Sequence, residues 1–482
     1  MRWIDLRLQQ NFVDGAWVDA LSGKTSSVDD PATGELLGQV PNGGREDAAR
    51  AIAAAKKGFP TWKALTAEQR AAYLRKLHGL ILEHNEPLAE LLTREQGKPL
   101  AEARAEIGMS AAYVLWAAEE ARRVYGDVIP SPWADRRILV TREPVGVVAA
   151  ITPWNFPSSM LARKIAPALA AGCTVVAKPA PDTPYSGIAW GWLAEQAGLP
   201  AGVLNVITGS AEEIGEQFTT HPDVAKITFT GSTRVGRILL QQAASTVKRT
   251  SMELGGNAPF LVFEDADLER AVEGAMAAKF RNSGQTCVCA NRFYVQSGIY
   301  DAFVEAFAKA AAAQKIGAGL EEGVVQGPLI TDAAVQNVQA MVDDSVAHGA
   351  RVVTGGNRVG ETRFFQPTVL ADATQSMRCA CEEIFGPVAP VFRFETEEEA
   401  IAMANDTEFG LAGFFYTRDL ARAFRAAERL QCGMVGINEG LITTEVAPFG
   451  GVKQSGLGRE GSKYGLEDYT QLKYVCIGGM NA

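Results

Sequence analysis

Apolar residues recur at helical spacing through the Ala-, Leu-, Glu-, Lys- and Arg-rich stretch from about Arg45 to Tyr125, which predicts several packed helices. From about Arg137 the period changes. The β-branched run RILVTREPVGVVAAITPW reads as two strands with TREP as the turn between them. Three strand-helix units follow: VGVVAAIT with an alanine-rich helix, CTVVAKP with a helix near Ser186 to Ala197, and LNVITG with a helix leading into the strand KITFT. Such alternation is the sequence form of a doubly wound parallel sheet. A second alternation starts near Asn257 with APFLVF, passes through RFYVQ, RVVTGG and APVFRF, and ends near Pro448, so a second α/β lobe is expected. The closing stretch EDYTQLKYVCIGG alternates like an exposed strand without a neighbour of its own and is expected to pair with another subunit.

At 482 residues the chain exceeds what one core usually holds, and its 47% apolar content fills two lobes with a small appendage. A net charge of -10 disfavours nucleic acid and anionic membranes as partners, since either needs a concentrated basic face. The opening MRWIDLRLQQ mixes charges with apolar residues, and no run approaches the roughly 18 apolar residues of a membrane helix. Seven cysteines, an odd number spread over a long chain, form no disulfide framework, so a reducing cytoplasm is expected.

Four segments carry chemistry. In FRNSGQTCVCANR, residues 280 to 292, Cys287 follows a Gly-Gln-Thr turn among polar neighbours, a position suited to an exposed loop nucleophile. SMELGGNAP, 251 to 259, puts Glu253 before a Leu-Gly-Gly turn, where a carboxylate can be aimed into a cleft as a general base. ITPWNFP, 151 to 157, ends a strand at Asn155, whose amide suits an oxyanion forming on a carbonyl under attack. KITFTGSTRVG turns at Gly231 and Ser232 into a helix, presenting backbone N–H groups to a phosphate. It is neither a Walker loop, having Arg237 and Ile238 where Lys and Ser or Thr belong, nor a G-x-G-x-x-G fingerprint. Taken singly, each has an ordinary alternative: a cysteine packed as a small hydrophobe, a surface glutamate, a turn-forming asparagine, a common strand-helix turn.

These segments in this order, with EEIFGP at 382 to 387 and PFGGVKQSGLGREG near the end, resemble the aldehyde dehydrogenase superfamily from about Phe12 onward. The resemblance implies an α/β fold: a doubly wound Rossmann-like cofactor domain (1–122 and 144–253), a second α/β catalytic domain (254–455) and a small β oligomerisation extension (123–143 and 456–482). It further implies that Cys287 attacks an aldehyde, that Asn155 and the Cys287 N–H hold the oxyanion, that Glu253 activates the hydrolytic water, and that Lys178 belongs to the catalytic set. Contacts to NADP or NAD carry over to Trp154, Asn155, Lys178, Ala180, Pro181, Gly231, Ser232, Leu254, Glu383 and Phe385, with Glu383 on the nicotinamide ribose. No metal is implied.

In KPAPDTP, Pro181 stands where relatives that prefer NAD commonly carry a glutamate for the ribose hydroxyls. NADP is therefore the expected cofactor, although neighbouring Asp182 works toward NAD. The linked set MLARK, KFRNSGQTCVCANR and NEGLITTEVAPFGG is most similar to the succinate-semialdehyde dehydrogenase group. There two arginines and a hydroxyl clamp a distal carboxylate, which implies Arg163, Arg281 and Thr444 here. Glutarate semialdehyde, release of the thioester to coenzyme A, and a non-catalytic binding role are the alternatives. Cys289, two residues from Cys287, matches a reversible redox lock in some relatives. The expected partners are a small semialdehyde and further copies of the chain, as dimer or tetramer.

Overall fold

Four helices, Arg45–Ala64, Ala67–Glu83, Asn85–Gln96 and Leu100–Glu120, fill the stretch with helical periodicity in the computed structural model, which describes residues 9–480. Most of the opening decapeptide lies outside the described residues. The second helix starts at a capping box in which the Thr66 hydroxyl accepts from Gln69 N and the Gln69 amide oxygen accepts from Thr66 N. On Leu100–Glu120, residues Glu102, Glu106, Met109 and Tyr113 fall at i, i+4, i+7 and i+11, so they share one face. That face is turned toward the site.

The first sheet has five parallel strands at its heart, in the order Arg249–Glu253, Val224–Thr230, Val147–Ile151, Thr174–Lys178, Leu204–Val206. From Val147–Ile151 the chain adds strands on one side, then crosses back to place Val224–Thr230 on the other. The reversal lies between these two strands, and ligands of doubly wound sheets settle in the crevice beyond their carboxyl ends. Trp154 and Asn155 follow the first of them, and Gly231 and Ser232 follow the second. Lys178 and Glu253 end two further strands, so one sheet edge gathers most of the candidate residues.

The second sheet is ordered Arg351–Thr354, Thr368–Ala373, Val388–Phe394, Ala290–Gln296, Ala258–Val262, Ala412–Tyr416, Met434–Ile437 and is parallel except at its first pair. Both alternations are thus sheets with helices against them, as the α/β pattern required. Within the first lobe, packed between its sheet and the helices Ala67–Glu83 and Leu100–Glu120, runs the helix Ser159–Ala171, whose every residue is buried, Arg163 and Lys164 included. A helix buried on all sides belongs to a core.

Two expectations fail. TREP is not a turn: the strand Arg137–Pro144 runs through it, and the break before the next strand falls at Val145 and Gly146, the latter with φ of +130°. The C-terminal strand Thr470–Ile477 does not lack a neighbour, because it pairs antiparallel with all of Arg137–Pro144, which also pairs with Asp127–Ile129. Thr470–Ile477 and Arg137–Pro144 lie far apart in sequence, so local pattern carried no trace of their pairing. Gly456–Leu457, grouped by sequence with the extension, pairs instead with Met252 and Glu253 at the edge of the first sheet. Among the described residues, no helix is long and apolar enough to cross a membrane.

Candidate active site

Cys287 lies where two cavities meet. One, of about 140 Å³, is lined by the Glu102–Tyr113 helix face, Phe156, Arg163, Arg281, Thr443 and Phe449; the other by Trp154, Asn155, Gly231, Ser232, Leu254, Glu383 and Phe385. The residue is half-buried rather than exposed on a loop as expected. Its thiol is enclosed, and burial pushes its pKa up to about 12, with Arg163 pulling down and Glu383 and Glu253 pushing up. The resting sulfur is therefore a thiol, not a thiolate.

The backbone before it is strained. Asn282, Ser283 and Gly284 all take left-handed φ of 51°, 54° and 73°, which non-glycine residues hold only when surroundings impose it. Here Glu102 accepts from Asn282 N at 2.8 Å, Asn155 O accepts from Asn282 Nδ2 at 2.9 Å, and Gly327 O accepts from the Ser283 hydroxyl at 2.9 Å. Gly256 allows the other close approach, since a Cβ there would lie 2.2 Å from Cys287 O.

Asn155 is buried, and its amide donates to Gln285 O at 2.9 Å, which fixes the plane and leaves the second Nδ2 hydrogen for a ligand. Glu253 is buried with Oε2 lacking a hydrogen-bond partner. Burial and neighbouring Glu460 hold its carboxyl well above the usual carboxylate range, against the pull of Arg163 and Lys164. Glu460, inside the GREG run whose role the sequence left open, bridges Lys164 and Arg163, the latter at 2.8 Å.

Arg163 is buried, not a helix-surface charge. It lies over the Phe449 ring at 3.8 Å, its Nη2 meets Glu460, and its Nε has no acceptor. Arg281 sits 5.4 Å from the Phe156 ring in the same cavity. Thr444 departs from expectation: its hydroxyl donates to Glu445, and of the two adjacent threonines it is Thr443 that lines the cavity. Two adjacent threonines on an irregular loop give no periodicity by which sequence chooses between them. Cys289 is buried, its thiol donating to Lys279 O at 3.4 Å and Ala290 O at 3.6 Å.

The second cavity opens at the carboxyl ends of the first sheet's strands. Gly231 closes against the Phe229 ring, so a side chain there would fill the turn, and Ser232 caps the helix Thr233–Ala244. The helix N-terminus thereby faces the crevice. Glu383 accepts from Gly256 N at 3.1 Å, its pKa raised to about 7 by burial. Trp154 and Phe385 meet edge to face at 5.4 Å. Lys178 lies at its strand end with its ammonium on Pro179 O at 3.3 Å, and burial lowers its pKa to about 8. Ala180 and Pro181 follow it directly, ahead of the helix Pro184–Ala197.

A half-enclosed cysteine beside an asparagine amide and a buried glutamate, next to a dinucleotide crevice, is the equipment of an aldehyde-oxidising enzyme. The aldehyde dehydrogenase family model matches residues 17–475, and the chain belongs to that family. It is 58% identical to glutarate-semialdehyde dehydrogenase of Pseudomonas aeruginosa and 56% identical to succinate-semialdehyde dehydrogenase [NADP(+)] of Escherichia coli, in each case over 98% of both chains. The crystal structure of succinate-semialdehyde dehydrogenase from Burkholderia pseudomallei matches with a TM-score of 0.98 at 54% identity, covering 99% of this chain and 100% of that one.

The enclosed thiol has a measurable consequence. A raised pKa keeps the sulfur protonated over a wider range, so the thiolate fraction grows about tenfold per pH unit below it. Iodoacetamide alkylation of Cys287 in the free enzyme should accordingly climb between pH 7 and 9 without levelling. A plateau in that window contradicts the enclosed thiol.

Proposed function

We propose that the chain oxidises succinate semialdehyde to succinate with NAD(P)+ as acceptor, through a covalent intermediate on Cys287. The observation that carries this reading is the sulfur at the wall between the arginine-lined cavity and the dinucleotide crevice. A short aldehyde anchored by a distal carboxylate on Arg163 and Arg281 brings its carbonyl to Cys287. The buried Arg163 Nε, which has no acceptor, supports this, because a buried donor without an acceptor is costly until a ligand supplies one.

Cys287 loses its proton and forms the C–S bond, while the carbonyl oxygen takes the negative charge. Asn155 Nδ2 and the Cys287 N–H stabilise that oxyanion. A bound nicotinamide supplies the hydride acceptor. Glu253 then takes a proton from the water that cleaves the thioester, giving the acid and a free thiol, and its raised pKa suits a base working near neutrality.

NADP is the preferred form. Pro181 brings no carboxylate against a 2′-phosphate, and Lys178 is a buried cation at the strand end. A kcat/KM ratio favouring NADP over NAD is expected, and a strong preference for NAD reverses the assignment. Self-association through the three-stranded sheet is supported by exposed Val128, Leu472 and Tyr474 upon it. A Cys287–Cys289 disulfide would first have to break the inward hydrogen bonds of Cys289. Its loss in Cys289→Ala should make peroxide inactivation harder to reverse with dithiothreitol, and equal recovery ends that idea.

Glutarate semialdehyde is the second reading, favoured by the 58% identity to a dehydrogenase of that name. One methylene is worth only about 1–3 kcal/mol. The deciding experiment is cofactor reduction across aldehydes with and without a terminal carboxylate. Arg281→Ala should raise KM for succinate semialdehyde by ~10- to 100-fold, the loss of a charge-assisted contact of about 1.5–3 kcal/mol, and barely change it for butanal. Equal effects on both mean that Arg281 only braces its loop.

A further inference from the structure

The oxyanion donors proposed above come from different lobes: Asn155 follows a strand of the first sheet, and Cys287 precedes a strand of the second. Something must hold them in register. The Asn155 backbone carbonyl is the shared acceptor, taking Asn282 Nδ2 from the cysteine loop at 2.9 Å and Lys98 Nζ from the first lobe at 2.7 Å. Lys98 is 1% exposed, an unusual place for an ammonium, and lies 4.0 Å from the centre of the Phe156 ring. Its charge is met by Glu106 Oε2 at 2.6 Å. The other oxygen of Glu106 accepts from Ser158 N and Ser159 N at 3.0 and 3.2 Å, where the buried helix begins. The pair therefore grips Asn155 on its carbonyl side and again three and four residues downstream.

Holding the loop fold alone does not require a charge. A buried ion pair is seldom more stabilising than apolar residues of equal volume, whereas its fixed hydrogen-bond directions specify one geometry. We infer that Lys98, with Glu106, is a positioning residue for the reaction: it sets the Asn155 amide at the point where the oxyanion forms. Lys98 touches neither substrate nor cofactor, and it acts through Asn155. The inference rests on the oxyanion role proposed for Asn155.

The test separates reactions that form an oxyanion from one that does not. Lys98→Met/Glu106→Gln removes the ion pair at nearly constant volume and keeps the Glu106 carbonyl for Ser158 and Ser159. In this variant, kcat for aldehyde oxidation and the rate of p-nitrophenyl acetate hydrolysis should fall together by ~10- to 100-fold, the scale for a misplaced catalytic group. KM and the rate of Cys287 alkylation by iodoacetamide should stay near the parent values. Added to Asn155→Ala, the same pair of changes should cost almost nothing more.

If alkylation falls as far as acyl transfer, or if the losses multiply on the Asn155→Ala background, Lys98 only supports the fold and the inference is wrong. Asn155→Ala alone reports on the underlying reading: little loss there rejects the oxyanion role itself, whereas a large loss with an unaffected Lys98 variant rejects only the positioning role. Should the double variant not fold, Lys98→Met alone gives the same comparisons, because Glu106 keeps two backbone donors.

Discussion

Serine at position 287 should lower kcat by ~10⁴-fold or more, about 5.4 kcal/mol of barrier, and leave dinucleotide affinity unchanged. The surroundings of Cys287 explain the size of the effect. Burial already raises the thiol to about 12, and the same enclosure acts on a hydroxyl that is far less acidic from the start. The sulfur's advantage is that it is nucleophilic even when only a small fraction is ionised. Affinity persists because most of the crevice, including Trp154, Ser232 and Glu383, is untouched. Retention of more than ~1% of parent activity, or the absence of an acyl adduct at 287 in trapped turnover mixtures, removes the covalent route.

Glu253→Gln should slow steady turnover by ~10²–10⁴-fold while still releasing a first burst of about one reduced cofactor per subunit, as expected for covalent catalysis that stalls after acylation. The glutamate sits at the end of Arg249–Glu253 with one oxygen lacking a hydrogen-bond partner. An amide of the same shape fills the place without accepting the water's proton, so the thioester accumulates. The outcome also separates hydrolysis from transfer to coenzyme A: if added coenzyme A restores full speed in the variant, thiolysis competes with water. A burst as slow as the turnover would instead make Glu253 the base that deprotonates Cys287. On the alkaline side the parent rate should rise, since a carboxyl held above its usual range and an enclosed thiol both lose protons as pH increases.

The fold was legible where its signals are local. Strand-helix alternation from Val147 to Thr230 and from Ala258 to Ile437 requires no knowledge of distant contacts, and both sheets follow it. Pairings across several hundred residues were not legible: Thr470–Ile477 looked unpaired because its neighbour lies at Arg137–Pro144, and TREP looked like a turn because proline and charge outweighed its β-branched context. In the site, Cys287, Glu253 and Asn155 stand in polar or glycine-bounded turns, which mark them in a sequence. Lys98, Glu102, Glu106 and Glu460 do not stand out, because a charged residue on a helix or loop looks alike whether it faces solvent or a cavity. The spacing of 102, 106, 109 and 113 was available as a hint, but which helix face turns inward depends on packing. Thr443 and Thr444 differ only in the direction that an irregular loop gives each.

The strand Thr470–Ile477 and the short strand Gly456–Leu457 also constrain how the molecule is made. One completes the ribbon begun by Arg137–Pro144, and the other closes the edge of the nucleotide-side sheet against Met252 and Glu253. During synthesis, residues near 140 and 250 leave the ribosome long before their partners exist. Until then their edges carry open backbone hydrogen-bonding groups, a template for wrong association. Removing the segment from Thr470 onward should therefore reduce the yield of native protein far more than the activity of the molecules that do fold, with chaperone supply affecting the truncated chain more than the intact one.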